Sequence, residues 1–150
     1  MIDRREEILA RLRLLIADIP GVVRAARNGD ELSGRSRPAI FLQDAVEERV
    51  DNGMGGPTNS QAQMMRLSPH INLLMGQPTE ELGPAMSEFR RLLVVKILND
   101  ATLIEMLGGD RRQTMRFESC AVTTEAGETR EGRMELVFTF DYPFKLSELI

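Results

Sequence analysis

From Met134 to Tyr142 the chain alternates with a period of two: Met134, Leu136, Phe138, Phe140 and Tyr142 on one side, Glu135, Val137, Thr139 and Asp141 on the other. That is the period of a strand with one buried face, and a slip of one residue would turn every apolar side chain to water. Upstream, Met115, Phe117, Ser119 and Ala121 alternate against Arg116, Glu118, Cys120 and Val122, and the polar segment Thr124 to Gly132 joins the two runs. The pattern predicts a long antiparallel hairpin. Burying one large apolar side chain contributes about 1.5–3 kcal/mol, so this hairpin needs a cover. Leu82, Met86, Phe89, Leu93 and Ile97 supply it, because steps of three and four residues place them on one stripe of a helix.

The remaining segments fit around that pair. Asp3-Arg-Arg-Glu6 has capping-box spacing ahead of Ile8, Leu9, Leu12, Leu15 and Ile16, which predicts an amphipathic helix of about four turns ended by Pro20-Gly21. Val22 to Arg27 and Arg37 to Leu42 read as strands separated by turn residues, with Pro38 at a strand start or edge. Ser68 to Met75 places Ile71, Leu73 and Met75 on one face of another strand. The second helix starts at Thr79 or Pro84; Asp100 then caps a short continuation through Leu103, Ile104 and Leu107, and Gly108-Gly109 stops it. The expected fold is α+β: a single domain over residues 1–150, with one antiparallel or mixed sheet, a long C-terminal hairpin, helices on one face and one long flexible loop. A chain of 150 residues buries roughly two-thirds of its unfolded surface, which suffices for one core.

The loop is the stretch from Gln43 to Arg66, too polar and glycine-rich for an ordinary core element. Unstructured connections beyond about 12–15 residues are uncommon in compact domains and are usually functional or disordered. The expectation is a surface arm that orders against a partner, with Asp44 to Asp51 as its acidic part and Gly53 to Pro57 as its flexible tip.

Tests for chemistry give little. His70 is the only histidine and Cys120 the only cysteine, so a zinc site or a Cys–His nucleophile lacks partners at useful spacing and no intramolecular disulfide can form. Cys120 reads as a small buried or half-buried strand thiol and His70 as a polar residue at a strand edge. Gly53-Met-Gly-Gly56 lacks the Gly-Lys-Ser/Thr of a phosphate loop, and Asp44, Glu47, Glu48 and Asp51 lack the order of a calcium loop. Glu47, Glu48 and Glu88 are available as acids or bases, but nothing in the sequence pairs or desolvates them. No catalytic residue, cofactor or metal is expected, and the protein is read as no enzyme.

Partners are constrained by charge. The formal net charge is −4, a poor basis for binding a phosphate backbone, and the clusters Arg111-Arg112 with Arg116 and Arg35-Ser-Arg37 have no exposed aromatic platforms beside them. Apart from Lys96 and Lys145 every cationic residue is arginine, the residue enriched at protein interfaces, although genomic composition gives the same skew. No apolar run approaches the ~20 residues of a membrane span, and no cleavable signal pattern opens the chain. Synthesis in the cytosol and no membrane partner are expected.

The order of elements, with Val22-Val-Arg-Ala-Ala-Arg-Asn28, Arg37-Pro-Ala-Ile-Phe-Leu-Gln-Asp44 and Met134-Glu-Leu-Val-Phe-Thr-Phe-Asp-Tyr-Pro-Phe144, resembles tail terminator proteins of long-tailed phages, the minor tail protein U-like group and its tail-completion relatives. The resemblance covers nearly the whole chain. It implies an α+β subunit that closes into a hexameric ring, caps the tail tube, stops its polymerisation and joins it to the head-completion or neck complex. The implied partners are other copies of the chain, the major tail tube protein and a neck protein, with DNA only as cargo passing through the lumen. The implied location is the virion at the tail–neck junction, after assembly in the host cytoplasm. A related head–tail connector of the same fold is the alternative, and a small nucleic-acid-binding module a further one. Candidate ring and partner contacts are Asp44, Glu47, Glu48, Arg49, Asp51 and Met54 in the loop, with Arg35, Arg37, Arg111 and Arg112.

Overall fold

The backbone pairs five strands into one sheet in the order β1-β2-β3-β5-β4, with β1 (Arg24–Arg27), β2 (Ala39–Arg49), β3 (Gln63–Gly76), β4 (Met115–Glu125) and β5 (Glu131–Phe144). The computed structural model describes residues 2–28, 37–50, 63–76, 79–109, 114–125 and 131–150. The β1–β2 pair is parallel and all others are antiparallel, so the sheet is mixed and its C-terminal part is the expected β4–β5 hairpin.

Register follows the apolar pattern. Leu67 opposes Phe140, Ile71 opposes Leu136 and Leu73 opposes Met134, which stacks every second residue of the two central strands on one face. Against that face pack α1 (Arg4–Ala17), α2 (Thr79–Leu98) and α3 (Ala101–Met106), and one core joins Ile8, Leu9, Leu12 and Ile16 of α1 with Leu93 and Ile97 of α2 and Phe138, Phe140 and Tyr142 of β5. A last turn, α4 (Leu146–Leu149), follows β5, and the N–H of Ile2 donates to the carbonyl of Glu148. Gly132 lets α2 approach β5 closely: a Cβ there would lie 2.5 Å from Met86 Sδ.

Helix ends behave as the sequence predicts, with one exception. The Asp3 carboxylate accepts from the Glu6 N–H at 3.3 Å, and the Asp100 carboxylate accepts from the Leu103 N–H at 2.9 Å. Glu6 does not complete the capping box, because its carboxylate is taken by Arg27 of β1.

Three expectations are corrected. The long loop is not loop from Gln43 to Arg66: β2 runs on to Arg49 and β3 begins at Gln63, so strand pairing continues through Glu47–Leu67, Glu48–Arg66 and Arg49–Met65. Backbone ladders form without regard to side-chain polarity, and an exposed strand end needs no apolar alternation. The segment 51–62, which holds the expected glycine tip, lies outside the described residues.

The second correction concerns β4. Its register shifts between Phe117 and Ser119, one extra residue against β5, so Glu118 is bulged. Beyond it the faces exchange: Cys120, opposite Leu136, turns to the core and packs on it half-buried, whereas Ser119 and Ala121 are exposed on the other face. Third, His70 is not at an edge. It lies in the central strand β3, between Gln43 and Val137, with Nδ1 3.6 Å from Glu135.

Candidate partner interface

Of the expected loop, the structure positions the outer half of β2 and, opposite it, the start of β3 from Gln63 to Arg66. Strand β1 pairs only with Ala39 to Leu42, so among the described residues β2 has no paired strand on that side beyond Leu42, and Ala45, Val46, Glu47, Glu48 and Arg49 are all exposed. A bulge between Gln43 and Val46 turns the strand. Ala45 sits there at φ 52°, in the left-handed region that L side chains enter at a cost of roughly 1–2 kcal/mol.

That turn divides the acidic residues between two sides of the sheet. Asp44 faces α1 and is clamped: Arg27 donates through Nε and Nη2 at 2.8 Å each, Arg5 reaches it at 3.4 Å, and the Asp44 N–H donates to the Asn28 side-chain carbonyl at 3.2 Å. Arg27 also donates twice to Glu6, so one guanidinium ties α1, β1 and β2 together. These bonds hold the Asp44 and Glu6 carboxyls below the ordinary range and push the Arg27 guanidinium up. Glu47 lies on the α1 side 3.7 Å from Arg5; burial beside the helix raises its carboxyl, with Arg5 opposing and Asp3 adding to the rise.

Glu48 falls on the opposite face, across from Arg66. There Arg66 donates to both Asp141 oxygens at 2.8 and 3.0 Å, and Arg116 reaches Asp141 at 3.2 Å and Glu118 at 3.1 Å. The Thr139 hydroxyl donates to Glu118 at 2.9 Å. Burial raises the Asp141 carboxyl, but Arg66 and Arg116 together outweigh it and leave it below its ordinary value. On α1, Arg11 donates to both oxygens of Asp100 at 3.0 and 2.7 Å, which pins α1 to the cap of α3. A groove of about 590 Å³ between these helices is lined by Arg4, Glu7, Ala10, Arg11, Leu14 and Met106.

A carboxylate held by guanidinium is a weak base near neutrality, the reverse of what general-base work asks for. Glu88, considered as an acid or base, is exposed and holds Arg91 at 2.6 and 2.9 Å. Among the described residues no group of three or more His, Cys, Asp or Glu can hold a metal ion, and no helix is long and apolar enough to cross a membrane.

Of the candidate contacts, Asp44, Glu47, Glu48 and Arg49 share one strand end, and Arg37 lies before the opposite end of that strand, 3.4 Å from Glu131. Arg35, Asp51, Met54, Arg111 and Arg112 lie outside the described residues. Sequence reasoning passed over Arg27, Arg5, Arg66 and Asp141. For the last two a signal existed: Arg66 is next to the core position Leu67 and Asp141 lies between Phe140 and Tyr142, at the polar phase of an alternating strand. Comparison of the chain with protein-family models and with curated proteins finds no match.

Proposed function

We propose that this chain is a structural virion assembly protein, the subunit of a hexameric ring that terminates a phage tail tube and joins it to the neck. The observation that carries the reading is the outer half of β2: a strand end braced by Arg27 and Arg5 on one side, yet exposed from Ala45 to Arg49. A terminator must present a fixed surface to the last ring of the tube and refuse a further one. A braced strand end offers backbone donors and acceptors together with Glu48 and Arg49 in fixed positions, at little ordering cost on binding. The resemblance in element order supports the same reading, and so does the abundance of arginine paired to carboxylates.

Glu47 and Glu48 point to opposite faces, so only one of them can line a DNA-bearing lumen with its side chain. An acidic lining suits such a channel because like charge keeps the polyanion from sticking. Negative-stain electron microscopy of the purified protein mixed with tail tubes tests the proposal. Sixfold rings at one end of the tubes are expected. A protein that ignores tubes and forms no ring would overturn it, and salt-sensitive binding to bare DNA would favour the nucleic-acid module instead.

A further inference from the structure

The two outer edges of the sheet differ in kind. Strand β1 is four residues long with an arginine at each end, a short and charged edge of the sort that resists pairing. Strand β4 is eleven residues long, and among the described residues nothing pairs with its outer side. Its run Ser119-Cys-Ala-Val-Thr123 has no charge, proline or glycine. Val122 opposes Met134 on the helix-covered side but remains 56% exposed, while Ala121 and Thr123 are exposed on the other side. The charged residues of this strand, Arg116, Glu118 and Glu125, lie outside that run, and an uncharged stretch of open edge with an exposed β-branched residue is a template for another strand.

We propose that the β4 edge pairs antiparallel with the β4 edge of a second copy of this chain, about a twofold axis beside Ala121. The sequence of the edge argues for this occupant. In that register Ala121 opposes itself, Ser119 opposes Thr123 of the second copy, and Cys120 opposes Val122 of the second copy. Within the run Ser119 to Thr123 every opposed pair is uncharged and joins residues on the same face; beyond it Glu118 opposes Thr124 and Glu125 opposes Phe117, so no two like charges are opposed. The bulge at Glu118 decides which side these pairs lie on, and it turns Cys120 and Val122 to the covered side. Val122 then gains an apolar neighbour next to a thiol that already packs on the core. A single strand pair buries less than the ~1,200 Å² of a standard stable interface, so the dimer is weak and forms in the micromolar range.

This contact is independent of the ring. A closed ring joins two different patches of neighbouring subunits, whereas a twofold contact uses one patch twice, so it couples two free subunits or two rings.

Cysteine crosslinking tests it. Directly opposed residues of an antiparallel pair have Cβ atoms about 4.5–5.5 Å apart, so Ala121→Cys in a Cys120→Ser background should oxidise to a covalent dimer in high yield at micromolar protein. Leu14→Cys in the same background, on the exposed side of α1, should not. Sedimentation equilibrium of Val122→Lys and Ala121→Lys should show association weakened at least tenfold, with circular-dichroism melts close to wild type. Equal crosslinking from both cysteines, no crosslink at residue 121, or folded lysine variants that associate like wild type would each overturn the proposal. Rings at tube ends are scored separately, so this contact can fail while the ring stands, and the reverse.

Discussion

The two faces of the sheet are made from alternate residues of the same strands, yet they are held by different forces. The covered face is apolar from Met134 to Tyr142 and buried under three helices. The other face carries Arg66, Arg116, Glu118, Asp141 and the His70–Glu135 contact around a small island of Ala39, Phe41 and Leu74, with the Arg24 guanidinium 5.5 Å from the centre of the Phe41 ring. Apolar burial is non-directional and tolerates any partner that excludes water, whereas a guanidinium–carboxylate pair demands one partner in one geometry. The covered face therefore supplies most of the stability. The open face supplies a patterned surface of specific ion pairs.

The largest predicted effect is on the covered side. Phe138→Ala should cost about 3–5 kcal/mol in denaturant unfolding, since it removes a fully buried ring that contacts Phe117 and Phe140. A loss below about 1 kcal/mol would mean that the two faces are not as unequal as described.

Asp141→Ala probes the open side and should cost about 2 kcal/mol at pH 7, because it leaves Arg66 and Arg116 facing a site where the carboxylate is only 10% exposed. The folded carboxyl lies below its unfolded value, so its contribution is present above the ordinary aspartate range near pH 4 and is lost as pH falls through the folded value. The gap between wild type and variant should close on acidification. A gap independent of pH would assign the loss to packing rather than to charge.

The smallest effect has the opposite sign. Ala45→Gly should raise stability by roughly 0.5–1 kcal/mol, since glycine adopts the left-handed backbone at φ 52° without the Cβ clash but is more flexible unfolded. Thermal melts would register it, and a destabilised variant would show that the β2 bulge is not strained.

The same division decides what could be read from sequence. The β5 alternation, the Leu82–Ile97 stripe and the Asp100 cap were legible because burial and capping impose a period or a residue type. The outer half of β2 was not, since Val46 to Arg49 pair with β3 while remaining exposed, and Asp44 is held by residues distant in sequence. Nor were the bulges: one extra residue at Ala45 or Glu118 leaves the hydrophobic pattern of short strands almost unchanged while reversing which side chains face the core. In the candidate interface, Asp44, Glu47, Glu48 and Arg49 do fall together, but the division of the carboxylates between faces depends on that hidden bulge. The Arg27–Asp44 clamp joins residues brought together by parallel pairing, which no local spacing announces.

The most direct test of the terminator account is a polymerisation assay. Tail tube protein is allowed to assemble in the presence of increasing amounts of this protein, and tube lengths are measured by electron microscopy. The account predicts that tubes stop short as the protein is added, each bearing a cap at one end. Length distributions unchanged at saturating protein would contradict it.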